Sequence, residues 1–347
     1  MSSPLPAVPL SVLDLAPVGD GASASDAVQA SLELARRADE LGFTRFWLAE
    51  HHSMPGIASS APAVLIGAVA AATRRIRVGS GGVMLPNHAP LVVAEQFGTL
   101  AALHPGRIDL GLGRAPGTDP RTAAALRRSA DPLGPDDFPE QLGELACFLS
   151  GAFPEGHPYR QIRAVPQADA PPPIWLLGSS LYSAELAGLL GLPFAFAHHF
   201  SSAHTLPALE RYRSSFRQGR TLDEPYAMVT VQAVCAPTDE EAERIALPAA
   251  LSFLRLRQGQ PGTLPTPEQA TEYPWSPMER EFVAQRRDGQ AVGSPDTVRD
   301  ALAALLKATG PDELMITTLV HSPQDRLRST ELVRGLFAEL PRGLQQT

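Results

Sequence analysis

Cysteine is nearly absent. Cys147 and Cys235 are the only two in 347 residues, far apart and in no CxxC or Cys/His ligand spacing. Neither a disulfide framework nor a structural zinc is expected, and a reduced, cytoplasmic setting is. Residues Met1 to Pro9 hold no Lys or Arg and no long apolar core, which argues against a signal peptide. No stretch approaches the roughly 18 apolar residues of a membrane span. Excess positive charge is lacking too: the formal net charge is −8 and the Arg-Arg pairs are scattered, so no phosphate backbone, and hence no nucleic acid, is an expected ligand. There is no Gly-Lys-Ser/Thr phosphate loop, no Gly-x-Ser-x-Gly elbow and no HxH or HExxH pair. Nucleotide hydrolysis, serine hydrolysis and a metal centre therefore lack support.

What is present is a beat of short apolar runs and helical periods. Val12 to Ala16 reads as a first buried strand, and Ser25 or Asp26 can cap a following helix whose apolar positions are Val28, Leu32, Ala35, Ala38 and Leu41. Strands are expected again at Phe43 to Ala49, Ile76 to Leu85, Ile108 to Gly113, Ile174 to Leu177, Phe194 to Ala197, Ala227 to Cys235 and Leu314 to Thr318, with helices between them and a last helix to Leu340. Eight strands alternating with helices, with no composition break, predict one α/β domain over 1–347, a (β/α)8 TIM barrel. Two segments interrupt the beat. The Pro/Gly-rich stretch 115–135 is too long for a connector and is a candidate wall of the site. Residues 257–290, rich in Gly, Pro and Gln with little periodicity, are expected to form a mobile lid inserted before the last strand.

Four strands end in polar or glycine-rich chemistry: Glu50-His51-His52 after Ala49, Arg114 after Gly113, Gly178-Ser179-Ser180 after Leu177, and His198-His199 after Ala197. Barrel enzymes gather their chemistry at that face. Neighbours on an extended chain point opposite ways, so one histidine of each pair can face the mouth while the other packs or caps a helix. Gly178, Ser179, Ser180 and Ser183 at a strand-to-helix turn can bind an anion through backbone N–H groups and the helix dipole, with Arg114 as the cation. The alternative is that the serines are ordinary N-caps, which alone would explain one of them, and that Arg114 forms a loop ion pair. Gly79-Ser80-Gly81-Gly82 breaks the third strand, which marks either a ligand's close approach or tight core packing. Gly111-Leu112-Gly113-Arg114-Ala115-Pro116 begins like a dinucleotide fingerprint but has Pro116 in place of the third glycine.

In combination, these segments resemble the bacterial luciferase-like flavin monooxygenases along nearly the whole chain. The resemblance rests on Trp47 to His52, Val78 to Pro86, Pro90 to Gln96, Gly106 to Arg114 and Gly293-Ser294-Pro295. It implies a barrel with FMN at its C-terminal mouth, the phosphate on Arg114 and the Ser179/Ser180/Ser183 turn, the ring system against strand three, and a cis peptide at Gly81-Gly82. The family histidine falls on His51, implying a role in forming or breaking down the flavin hydroperoxide. Reduced FMN would then be a co-substrate with O2, delivered by a separate flavin reductase, with an aldehyde, ketone or heterocycle oxygenated. Gly113 replaces the cysteine of the light-emitting members, and His198 their tryptophan beside the cofactor, so the non-luminous, single-gene type is implied. Two other functions share the fold: hydride transfer with the deazaflavin F420, and flavin binding without catalysis. Homodimers dominate the family, and the apolar faces of 61–73 and 92–103 permit one.

Overall fold

The computed structural model describes residues 4–127, 137–219 and 221–338. The parallel strands are β1 (Leu10–Asp14), β2 (Arg45–Leu48), β3 (Arg77–Ser80) with β4 (Val83–Met84) beyond Gly81-Gly82, β5 (Ile108–Gly113), β6 (Ile174–Gly178), β7 (Phe194–Phe196), β8 (Ala227–Cys235), β9 (Gln290–Gly293) and β10 (Glu313–Thr317). They run in the order β10-β1-β2-β3-β5-β6-β7-β8, and β8 pairs with β10 from Met228↔Glu313 to Gln232↔Thr317, which closes the barrel. With β3 and β4 counted as one interrupted strand, the eight-stranded TIM barrel predicted above is what the chain forms. Around it lie α1 (Ala24–Glu40), α2 (Pro62–Ala72), α3 (Pro90–Leu103), α4 (Pro120–Arg127), α5 (Phe138–Ser150), α6 (Leu181–Leu190), α7 (Thr205–Ser215), α8 (Asp239–Arg257), α9 (Pro267–Glu272), α10 (Pro277–Arg287), α11 (Pro295–Thr309) and α12 (Pro323–Gly335). No described helix is long and apolar enough to cross a membrane.

Several expectations need correction. The cap of α1 is Ser23, whose hydroxyl accepts from the Asp26 backbone while Asp26 reaches back to Ser23, a closed capping box. Within 115–135 the chain forms α4, and 128–136 lie outside the described residues. The segment 257–290 is not featureless. It holds α9 and α10, each with Pro in the first turn and a capping box, at Thr266/Gln269 and Ser276/Glu279, and ends in β9 against β8. Local capping supplies what the missing apolar periodicity does not. The last helix ends at Gly335, short of the Leu340 expected, a residue outside the described ones.

Side chains alternate along a strand, so closure sends every second residue to the barrel axis. Odd positions of β1, β2, β6, β7 and β10 and even positions of β8 face inward: Leu13, Trp47, Trp175, Ala195, Met228 and Met315 form one buried cluster. Their neighbours Val12, Phe46, Leu176, Phe194, Val229 and Ile316 belong to the outer core beneath the helices. The axial layers differ in chemistry. At the N-terminal strand ends Arg45 is 2.9 Å from Asp109 and 3.1 Å from Glu313, Arg77 is 2.6 Å from Asp109, and the Tyr226 hydroxyl donates to Glu313 at 2.9 Å. Burial works against charge on Asp109, but Arg45 and Arg77 outweigh it and hold its carboxyl below the usual range. Above this floor Trp47 and Trp175 meet edge to face at 5.2 Å, and the Trp47 indole donates to Asp109 at 3.1 Å. Gly79 makes room for that indole: a Cβ there would stand 2.7 Å from Trp47 Nε1.

Removing Arg45 takes a buried cation from two carboxylates, leaving Glu313 with the Tyr226 hydroxyl and Asp109 with Arg77. Arg45→Met is expected to lose about 3–5 kcal/mol of stability, read as a lowered urea midpoint. Arg45→Lys should recover only part of it, because an ammonium lacks the planar fork that reaches both carboxylates. An unchanged midpoint in Arg45→Met would make the floor charges bystanders.

Candidate active site

A cavity of about 580 Å3 opens above the tryptophan layer at the C-terminal strand ends, within the range of small-molecule sites. The alternation of each strand carries on into the loop after it. From Arg45, Trp47 and Ala49 on one line, His51 is the next inward residue; from Ala195 and Ala197, it is His199. Both line the cavity. Their partners turn away: His52 bonds Glu50, and His198 bonds the Thr205 hydroxyl at 2.7 Å through Nδ1. His198, expected against the cofactor, is therefore outside the cavity lining, and His199 occupies the wall instead. One histidine of each pair does face the mouth.

His51 is held by its backbone, which donates to the Ser59 carbonyl at 3.0 Å, and Ser53 takes a left-handed conformation (φ 56) as the chain turns back. Its Nδ1 is buried and makes no hydrogen bond. Burial lowers its pKa to about 4, with Glu50 opposing, so the ring is neutral near pH 7. His199 is likewise lowered to about 4 by burial. Its Nδ1 lies 3.1 Å from the Thr230 carbonyl, which can only accept, so Nδ1 carries the proton and Nε2 is the acceptor.

Glu50 is fully buried and ties the end of β2 to β4. Its Oε1 accepts from Nε2 of both His52 and His88 at 2.8 Å, and its Oε2 accepts from the Met84 backbone at 3.1 Å. Burial opposes the charge, but the bonds from His88 and His52 keep its carboxyl below the usual range. Sequence reading missed His88 because it arrives from another element. The three donor atoms lie within 4.8 Å of one another, a spacing an ion could bridge, yet each ring already donates to the carboxylate.

The opposite wall is built by β5 and β6, neighbours in the barrel. Arg114, Gly178, Ser179, Ser180 and Ser183 all line the cavity, as do Gly81 and Gly82, whose shared peptide is cis. Ser180 is the N-cap of α6, but its side chain makes no capping bond. The ordinary-cap explanation thus does not account for its hydroxyl. Gly178 is needed for close packing, since a Cβ would sit 2.4 Å from Ser183 Cβ. The Arg114 guanidinium lies over the Tyr182 ring at 4.5 Å, which holds it beside the α6 N-terminus. The packing reading of the glycine run holds at Gly79; Gly81 and Gly82 border the cavity and are also tightly packed, a Cβ at Gly81 falling 2.5 Å from Leu13 Cδ1 and one at Gly82 2.9 Å from the Gly111 carbonyl oxygen. Thr230, Gln232, Phe253 and Arg286 also line it and were not anticipated. Counting by two from Met228 finds the first pair, whereas no sequence signal brings in α8 and α10.

Comparison with known proteins agrees with this architecture. The family described as luciferase-like monooxygenase matches residues 8–313. The protein YvbT of Bacillus subtilis is 52% identical over 94% of this chain and 96% of its own length. A luciferase-like monooxygenase of Escherichia coli K12 is 48% identical over 96% of this chain and 98% of its own. The crystal structure of apo-MsnO8 superposes with a TM-score of 0.87 at 41% identity, covering 96% of this chain and all of that one. A match of this extent at such identity fixes more than the fold, and the chain belongs to the luciferase-like monooxygenase family.

Proposed function

We propose that the chain is an FMN-dependent monooxygenase, cytoplasmic and homodimeric, that receives reduced FMN from a separate flavin reductase and oxygenates a small aldehyde, ketone or heterocycle. The observation that carries this reading is His51: a neutral imidazole whose buried Nδ1 has no partner, set in the wall of a largely apolar cavity that Arg114 and the Ser179, Ser180 and Ser183 turn also line. The donor set fits FMN. Arg114 and the Ser179, Ser180 and Ser183 turn would take the phosphate, where backbone N–H groups and the helix dipole favour negative charge. Gly81 and Gly82 line the cavity and would lie along the ring system; a Cβ at Gly81 would fall 2.5 Å from Leu13 Cδ1, so no larger residue fits there.

Bound reduced FMN supplies the two electrons that let O2 place one oxygen atom in the substrate and leave the other as water. The protein's part is positional. Leu13, Leu177 and Met315 exclude water from the slot, and Glu50 clamps β2 to β4 so that His51 and the Gly81-Gly82 edge keep a fixed separation. His51 can accept or donate one proton at Nδ1 without first losing charge. The dimer contact would use α2 and α3, where Val64 and Leu103 stand exposed. A deazaflavin would fill the same slot, and only oxygen consumption with the visible spectrum of the bound cofactor separates the two.

Arg114→Ala should weaken FMN by about tenfold, the lower part of the range for a charge-assisted hydrogen bond because Arg114 is exposed, and leave riboflavin within about twofold. Flavin fluorescence quenching measures both. Equal losses would remove the phosphate from this wall.

His51→Asn should leave FMN affinity within about twofold and raise the hydrogen peroxide released per reduced flavin consumed. Because the wild-type ring stays neutral down to about pH 4, its coupling should be flat from pH 5 to 8. A variant with normal coupling would return His51 to a packing role.

A further inference from the structure

The cavity has a second cation that the flavin reading leaves without a task. Arg286, on α10 of the inserted segment, lines the cavity. Its guanidinium carbon lies 3.7 Å from the centroid of the Phe253 ring of α8. Phe253 stacks on Phe282 at 5.9 Å with planes 7° apart, and Arg257 stands 5.2 Å from the Phe282 centroid. Two guanidinium groups thus share one aromatic stack. Among the described residues no carboxylate is within ion-pair distance of Arg286, and no Asp or Glu lines the cavity, although acidic residues outnumber basic ones 37 to 29 in the chain. Burial and the nearby Arg257 both lower the pKa of Arg286, so its charge is held at a cost that an incoming anion would offset.

Arg286 does not stand with the phosphate wall. Arg114 leaves β5, whereas Arg286 packs on α8, the helix that follows β8, three strands further round the barrel. His51, His199 and the apolar slot residues line the same cavity.

We propose that Arg286 receives the carboxylate of an anionic organic substrate, so that the enzyme acts on molecules with a carboxylate at one end and the atom to be oxygenated at the other. The inference rests on the monooxygenase reading of the same cavity. A guanidinium presents paired donors in the geometry a carboxylate accepts, and the Phe253 ring, 3.7 Å away, supports that group beside the cavity. His199, neutral and on the same side, adds an acceptor at Nε2 but no competing charge.

The test is calorimetric titration of the whole protein, flavin-free and FMN-loaded, with octanoate and with octanamide, which match in shape and differ in charge. The wild type should bind octanoate at least about tenfold more tightly. Arg286→Ala and Arg286→Gln should bring the two ligands within about twofold of each other while octanamide affinity holds. A guanidinium that only latches α10 to α8 would leave the octanoate preference intact in both variants, and that result overturns the proposal. Equal binding of the two ligands by the wild type overturns it as well. So does a loss of FMN affinity, but not riboflavin affinity, in the variants, which would assign Arg286 to the flavin phosphate. An Arg286-dependent octanoate preference in a protein that fails to bind FMN would support the subsite and sink the flavin reading instead.

Discussion

Arg45, held between Asp109 and Glu313 at the base of the barrel, sets the inward parity of the strands that surround it. The three side chains, all almost wholly buried, favour one arrangement, because a one-residue slip of β2 would point the guanidinium into the helix layer and take it from both carboxylates. Trp47 therefore stands above the charges, Ala49 above Trp47 and His51 above Ala49. The catalytic face inherits its register from an ion cluster at the other end of the strand.

The same parity partitions the electrostatics. Outside, the chain is acidic; the described cavity wall carries only Arg114 and Arg286 as charges, with two histidines kept neutral by burial. Glu50 is the nearest carboxylate in sequence to His51, but it faces the other way and is consumed by His52, His88 and the Met84 backbone. Its charge thus braces the site without entering it. An apolar slot with cations at separated positions suits a ligand that is anionic at its ends and uncharged where the chemistry happens.

Much of this was legible from residues alone, and the boundary is physical. Eight strands could be read because a parallel barrel strand is buried on both faces and shows as a near-continuous apolar run, as in Phe46-Trp47-Leu48. The clustering of Arg114 with the serine turn followed from β5 and β6 being neighbours. Counting by two from Ala195 reaches His199, but the family resemblance puts His198 beside the cofactor. The fully buried Glu50 looked no different from a surface carboxylate, since its partners His88 and Met84 arrive from the far side of Gly81-Gly82. Short β9 was absorbed into a stretch without alternation, because two of its four residues are Gln290 and Gly293.

The inserted segment shows most clearly what pattern reading omits. Periodicity detects elements that bury a continuous apolar stripe, and α10 has no buried residue at all. It is organised instead from its ends, by the Ser276/Glu279 box at one terminus and by Arg286 on Phe253 at the other, with Phe282 between. Such contacts contribute roughly 0.5–2 kcal/mol each, far less than a buried stripe, so the segment is held in place without being fused to the barrel. Attached that weakly, α10 still carries a cation into the cavity wall, one that no apolar pattern would have revealed.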